Sequence, residues 1–251
     1  MQIRKGIYFM GLAGLICCCL PKLYAQETPV ENDPSENVRL AFKLTPSFYK
    51  SSDESHAADI NLRGSVGSHT AWLGFYRDNG QFQQTRSGYE YRSDFSVLRT
   101  VLSAQVASGG FLGGSITAEI GNKNYAIVGW GRTNVKDYYN LNFDPNDAIT
   151  LGVGSRAIKK FELSLFHIWD DRLHTQQHVS HALVRYKPNE LNRWTVDLSQ
   201  KHGLTGTGNF VRGYAGSVTY DFGNYFARVA RDQYVNFSDV TQNRFSLGLR
   251  F

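Results

Sequence analysis

The sequence predicts an all-β fold, a transmembrane antiparallel up-and-down β-barrel of fourteen strands, with twelve as the alternative count. Three observations predict it. Apolar and non-apolar residues alternate with period two along most of the chain, which is the strand signature. The alternating segments are close to the 9–11 residues that a tilted strand needs to cross a bilayer. Beyond residue 37 no run of 18 apolar residues occurs, so the pattern contains no spanning helix. With 41% hydrophobic and 14% aromatic residues, the chain is too apolar for a disordered polymer.

The segments follow in order. Residues 38–50 put Leu40, Phe42 and Leu44 on one face, 58–66 put Ile60, Leu62 and Val66 there, and 70–77 Ala71, Leu73 and Phe75. Segment 82–92 is weaker, with Tyr89 and Tyr91. Segments 96–106, 111–120 and 125–132 carry Leu98, Leu102 and Val106, then Leu112, Ile116 and Ile120, then Ala126, Val128 and Trp130. Segments 148–156, 161–169 and 178–187 carry Ile149, Leu151 and Val153, then Phe161, Leu163 and Leu165, then Ala182, Val184 and Tyr186. The last four are 193–201 with Trp194, Val196 and Leu198, 209–221 with Tyr214, Val218 and Tyr220, 225–232 with Tyr225, Ala227 and Val229, and 244–251 with Phe245, Leu247 and Leu249. The other face is rich in Gly, Ser, Thr and single charges, as a polar lumen requires. A soluble β-sandwich would carry many more charges on its solvent face.

Connections alternate too. Every second one is short (67–69, 92–95, 121–124, 157–160, 188–192, 222–224), and the others tend to be longer and more polar, the longest being 133–147. That asymmetry matches short periplasmic turns and longer outer loops.

The N-terminal residues read differently. Arg4 and Lys5 precede an apolar stretch from Gly6 to Leu20, and Leu23-Tyr24-Ala25 ends it. Residues 1–25 are expected to be a secretory signal peptide. Cys17, Cys18 and Cys19 are the chain's three cysteines and lie within it. Arg4, Lys5 and Lys22 leave with it and no acidic residue does, so the formal charge falls by three, from +5 to +2. That removes the case for a basic nucleic-acid binder. Residues 26–37, polar and acidic with two prolines, form a flexible periplasmic lead-in, and 38–251 a single barrel domain.

Taken with the signal and the thiol-free remainder, Phe245-x-Leu247-x-Leu249-x-Phe251 resembles the bacterial outer-membrane β-barrel proteins of the C-terminal Phe class. The resemblance implies the bacterial outer membrane, contact with its lipid and lipopolysaccharide, and recognition of the Phe251 strand by the barrel-assembly machinery. It matches no particular subfamily.

If the apolar faces meet lipid, the inward charges are Lys43, Arg63, Arg86, Glu90, Arg99, Glu119, Arg156, Glu162, Arg185, Asp197, Lys201, Asp221, Arg228 and Arg250. Nine cations against five anions would favour anionic solutes. Arg63, Arg86, Arg99, Arg156, Arg185, Arg228, Glu119 and Asp197 are the candidate solute contacts, although such charges also pair to fill small barrels. Arg185 with Asp197 is a candidate pair. The outer loops offer Tyr138, Tyr139, Asn142 and Asp144, then Asp170 and Asp171, as ligand candidates. His174, His178 and His181 have helical metal spacing, but on a strand His178 and His181 face opposite ways, so no metal or other cofactor is expected.

His178-Val179-Ser180 puts a base and a nucleophile on one strand face, as in barrel lipid hydrolases. The turn 188–192 sets Ser180 opposite Gln200 and His178 opposite His202, and no carboxylate stands in the orienting place. The leading expectation is a small passive channel for hydrophilic solutes that binds no nucleic acid and performs no chemistry. A lipid hydrolase using His178 and Ser180, and a closed structural or adhesive barrel, are the alternatives.

Overall fold

The computed structural model describes residues 40–141 and 144–251. The expected signal peptide and lead-in, and the ligand candidate Asn142, lie outside the described residues. Fourteen strands form one closed antiparallel barrel in which each pairs with its sequence neighbours and β1 pairs with β14. They are β1 Ala41–Ser51, β2 His56–Val66, β3 His69–Asp78, β4 Gln83–Phe95, β5 Leu98–Ala107, β6 Phe111–Gly121, β7 Asn124–Thr133, β8 Ala148–Ser155, β9 Phe161–Asp170, β10 His178–Tyr186, β11 Asn192–Leu204, β12 Phe210–Phe222, β13 Tyr225–Asp232 and β14 Gln242–Arg250. The larger strand count is the correct one. A 3₁₀ turn, Val235–Phe237, sits between β13 and β14.

Alternation decides which face is which. Leu73, Leu102, Val153, Leu165, Leu198 and Val229 are exposed on the outer wall, while Thr117, Thr150, Ser164, Thr219 and Ser246 are buried inside. Burying Ser and Thr while exposing Leu and Val inverts the soluble rule, and lipid as the outer solvent accounts for it. At the short-turn end the wall carries stacked aromatics: Phe161 on Tyr186 at 4.6 Å, Trp194 on Tyr220 at 4.3 Å and Phe222 on Tyr225 at 5.9 Å. Such girdles mark a membrane interface.

Strand ends depart from the sequence reading where side chains extend a ladder. β4 continues to Phe95 because Ser93 bonds Thr100 at 2.6 Å and Arg99 Nε donates to Asp94 at 3.0 Å across the hairpin. The closing seam joins residues far apart in sequence. Phe42 N donates to Phe251 O at 2.7 Å and Phe251 N to Phe42 O at 3.0 Å.

The interior is not polar throughout. On β7 to β10 the inward residues Tyr125, Ile127, Ala148, Phe166, Ile168 and Leu183 form a buried apolar cluster. At these positions the strands are apolar on both faces, while Thr150, Glu162, Ser164, His181 and Arg185 keep other inward positions of the same strands polar. The small and polar inward set that the sequence pattern suggests is interrupted here, and by Tyr76, Phe111 and Phe226 on other strands. A fourteen-strand barrel would otherwise be wide, and this cluster fills one side of it.

Candidate functional site

The described residues of the 134–147 connection, 134–141 and 144–147, shape the lumen. They fold into the barrel mouth, where Asn140, Asp144, Asn146 and Asp147 are buried. Four contacts spread around the barrel wall hold them. Asp144 Oδ1 meets His181 Nε2 on β10 at 2.8 Å. Tyr139 N donates to Gln84 Oε1 on β4 at 2.9 Å, and Gln84 Nε2 returns a bond to Tyr139 O at 3.0 Å. Arg244 on β14 donates to Leu141 O at 2.8 Å. Asn236 Nδ2 donates to Asn140 O at 3.0 Å. The base of the loop is fixed by Asp147, which accepts from Thr133 and from Arg172 at 2.8 Å. Tyr138 packs on Phe111 at 4.3 Å. Tyr138, Tyr139 and Asp144 therefore face the lumen and its wall rather than the outside.

Below this loop lies a cavity of about 290 Å³. Its lining includes the cations Lys43, Arg63, Arg86, Arg193, Arg228, Arg244 and Arg250 and the carboxylates Asp59, Glu90, Asp144, Asp197 and Asp221. The charges are not evenly spread. On one wall they form closed pairs: Arg63 with Glu90 in a bidentate bridge at 2.9 and 3.0 Å, and Arg86 with Asp59 at 2.5 Å. The wall built by β11, β13, β14 and β1 carries Lys43, Arg193, Arg228, Arg244 and Arg250, with Asp221 bridging Arg193 at 3.0 Å and Arg250. Arg228 donates to the Thr219 hydroxyl at 2.9 Å and forms no ion pair among the described residues. Lys43 lies over the Phe226 ring at 4.4 Å.

Other candidate contacts have structural partners. Arg99, Glu119, Arg156, Glu162 and Arg185 form a continuous network from β5 to β10. Glu119 meets Arg156 at 2.5 Å, Glu162 meets Arg156 at 2.8 Å, and Arg185 meets Glu162 at 2.8 Å. Arg185 is thus paired with Glu162 rather than Asp197, and Asp197 instead meets His181 Nδ1 at 2.9 Å. Lys201 is buried against Asp232 beneath Phe237. Asp170 caps its own turn, accepting from Arg172, Leu173 and Thr175, and Asp171 pairs with Arg132 at 2.5 Å.

The inward set read strand by strand leaves out, among others, Arg193 and Arg244 on the cationic side and Asp59, Asp94 and Asp232 on the acidic side. These lie on the inward parity of their strands, so the signal was present. Asp144 joins them only because the loop folds in. Together these residues narrow the expected excess of nine cations over five anions. The remaining asymmetry comes from one wall.

On the outer face, the register places His178 opposite His202 and Ser180 opposite Gln200. The serine's partner, however, is His167 of β9, at 2.8 Å from its Nδ1. His167 Nε2 meets His178 Nδ1 at 3.0 Å, and His178 stacks on His202 at 4.9 Å. His178 is therefore not the base beside Ser180. Among the described residues no carboxylate orients the trio, and β10 is paired on both sides, so its amides serve the ladder rather than an oxyanion. His181 faces inward and is buried, as the three-residue spacing from His178 requires.

No family model and no curated relative matches the chain. Among solved structures it is similar to the outer membrane protein Omp33 of Acinetobacter baumannii, with TM-score 0.52 at 8% identity over 86% of this chain and 100% of that one. The KdgM porin aligns with TM-score 0.47 at 10% identity over 83% of this chain and 99% of that one. The NanC porin gives 0.46 at 9% over 83% and 98%. At the level of fold, then, this chain is an outer-membrane-type β-barrel.

Proposed function

We propose that the chain is a small passive channel of the bacterial outer membrane that passes hydrophilic solutes and favours anions. The observation that carries this reading is the cationic wall of the cavity. Arg228 and its neighbours on β1, β11 and β14 face a space bounded by the inserted loop. A wall of fixed cations in a narrow, partly dehydrated passage concentrates anions. The loop sets the width, and the paired charges on the opposite wall hold the shape without adding net field. The reading requires no catalysis, and the Ser180–His167–His178 arrangement lacks the oriented base and oxyanion donors that a hydrolase needs.

The same reading makes the C-terminal strand ending at Phe251 the element met by the assembly machinery, and the apolar outer wall the surface met by lipid and lipopolysaccharide. Purified protein in a planar bilayer tests the channel. Stepwise conductance with a reversal potential on the anion side is expected under a salt gradient. A barrel that folds, shown by heat-modifiable mobility on a gel, yet gives no conductance steps is a closed structural barrel instead.

A further inference from the structure

We propose that the outer wall between β12 and β2 carries a seat for one bis-phosphorylated, multiply acylated glycolipid of the lipid A type. The inference rests on the outer-membrane reading above and names the site at which that lipid is held. A groove of about 740 Å³ crosses these strands on the lipid side. Phe48, Phe245, Val229 and Val218 stand side by side along it, because Phe48 pairs with Phe245, Phe245 with Val229 and Val229 with Val218. One residue pair nearer the long loops, Gly216 leaves the floor open. A side chain starting there would meet Leu198 at 3.3 Å, so the depression exists because position 216 has none.

Directly beside Gly216, the register lines up Arg231, Asn243, Lys50 and His56 across four strands. Arg231 Nη1 donates to Asn243 Oδ1 at 3.1 Å, which fixes its guanidinium at the groove's edge. Lys50 and Arg231 are both exposed, and neither forms an ion pair with a carboxylate among the described residues. Cations on a barrel's lipid face are costly near the midplane and tolerated near the interface. This row therefore marks the interface on the long-loop side. Two cations one strand removed from each other stand ~10 Å apart along the sheet, a spacing suited to two phosphates on one headgroup, with acyl chains lying in the apolar groove below.

The chemistry favours this occupant over a second copy of the chain. A symmetric contact through the groove would bring each copy's Lys50 and Arg231 against the other's. A zwitterionic phospholipid offers a single phosphate beside its own amine.

The test uses the full barrel in detergent, incubated with lipid A or with phosphatidylethanolamine, and counts retained lipid by native mass spectrometry. Wild type is expected to keep one lipid A and to prefer it over phosphatidylethanolamine. Lys50→Ser with Arg231→Ser should cut retention at least tenfold. Gly216→Leu, which fills the groove and leaves both cations in place, should cut it as well. Arg231→Ser alone gives a surface variant with little demand on folding, and gel mobility reports that each variant is a barrel. Equal retention of the two lipids, retention unchanged in Arg231→Ser and Gly216→Leu, or self-association that Gly216→Leu abolishes would each overturn the proposal. All these positions lie outside the lumen, so conductance is an independent readout. A barrel that conducts without preferring lipid A removes this inference alone, and one that keeps lipid A without conducting removes the channel alone.

Discussion

Reversing the charge of Arg228 should shift the anion preference of the pore by about an order of magnitude. The estimate follows from the cavity. A space of about 290 Å³ has a radius of ~4 Å as a sphere. Adding the ~2 Å half-width of a guanidinium places a passing ion ~6 Å from the Arg228 charge, where a water-like dielectric gives ~0.7 kcal/mol. A Debye length of ~8 Å at physiological salt reduces this to ~0.3 kcal/mol. That energy changes anion entry about 1.7-fold and cation entry by the same factor in the opposite direction. Arg228→Gln should therefore lower the chloride-to-potassium permeability ratio about threefold and Arg228→Glu about ninefold. Reversal potentials in a planar bilayer under a KCl gradient measure the ratio directly. Arg212→Glu serves as the control, since Arg212 is exposed on the outer face of β12. If Arg228→Glu leaves the reversal potential where wild type has it, or if Arg212→Glu moves it equally, the lumen argument fails.

Three further outcomes are expected. Asp144→Ala removes the bond that latches the inserted loop to His181. A charge-assisted bond of this kind is worth about 1.5–3 kcal/mol, so single-channel conductance and open-state noise should both rise, whereas Asp171→Ala in the neighbouring loop should change neither. Lys201→Met leaves Asp232 buried without its cation and should cost about 3–5 kcal/mol in urea unfolding of the bilayer-reconstituted barrel, with Lys201→Met combined with Asp232→Leu recovering most of it. Gly248→Ala places a methyl group 1.7 Å from Phe226 Cε1; the ring must move, carrying Lys43 with it, so stability should fall by about 1–3 kcal/mol and anion selectivity should shift as well.

What was legible in the sequence was whatever period two governs. The strand segments, their outward residues and the alternation of short and long connections all follow from local pattern, because one residue of slip would reverse every side chain. The hairpin register at residues 188–192 was legible too, placing Ser180 opposite Gln200. What was not legible depends on neighbours across two or more strands. Arg185 has Asp197 within reach on one side and Glu162 directly opposite on the other, and only the assembled barrel selects Glu162. Ser180 likewise takes its partner from β9, whose register with β10 no tight turn announces. The entry of residues 134–141 and 144–147 into the lumen left no periodic signal, since they are the same polar and aromatic mixture that an outer loop would carry.

In the proposed channel the apolar cluster on β7 to β10 would act on the solute as well as on the fold. Phe166 and Leu183 border the cavity across from the cationic wall. A solute in the proposed channel would meet fixed charges on one side and these hydrocarbon side chains on the other. Hydrocarbon opposite a row of fixed charges does not screen them, and field lines that would spread into water are pressed back into the passage. In the proposed channel each arginine on the polar wall would then act at least as strongly as the water-like estimate for Arg228 gives, and a molecule with one ionic edge and one apolar face could turn each to its matching wall.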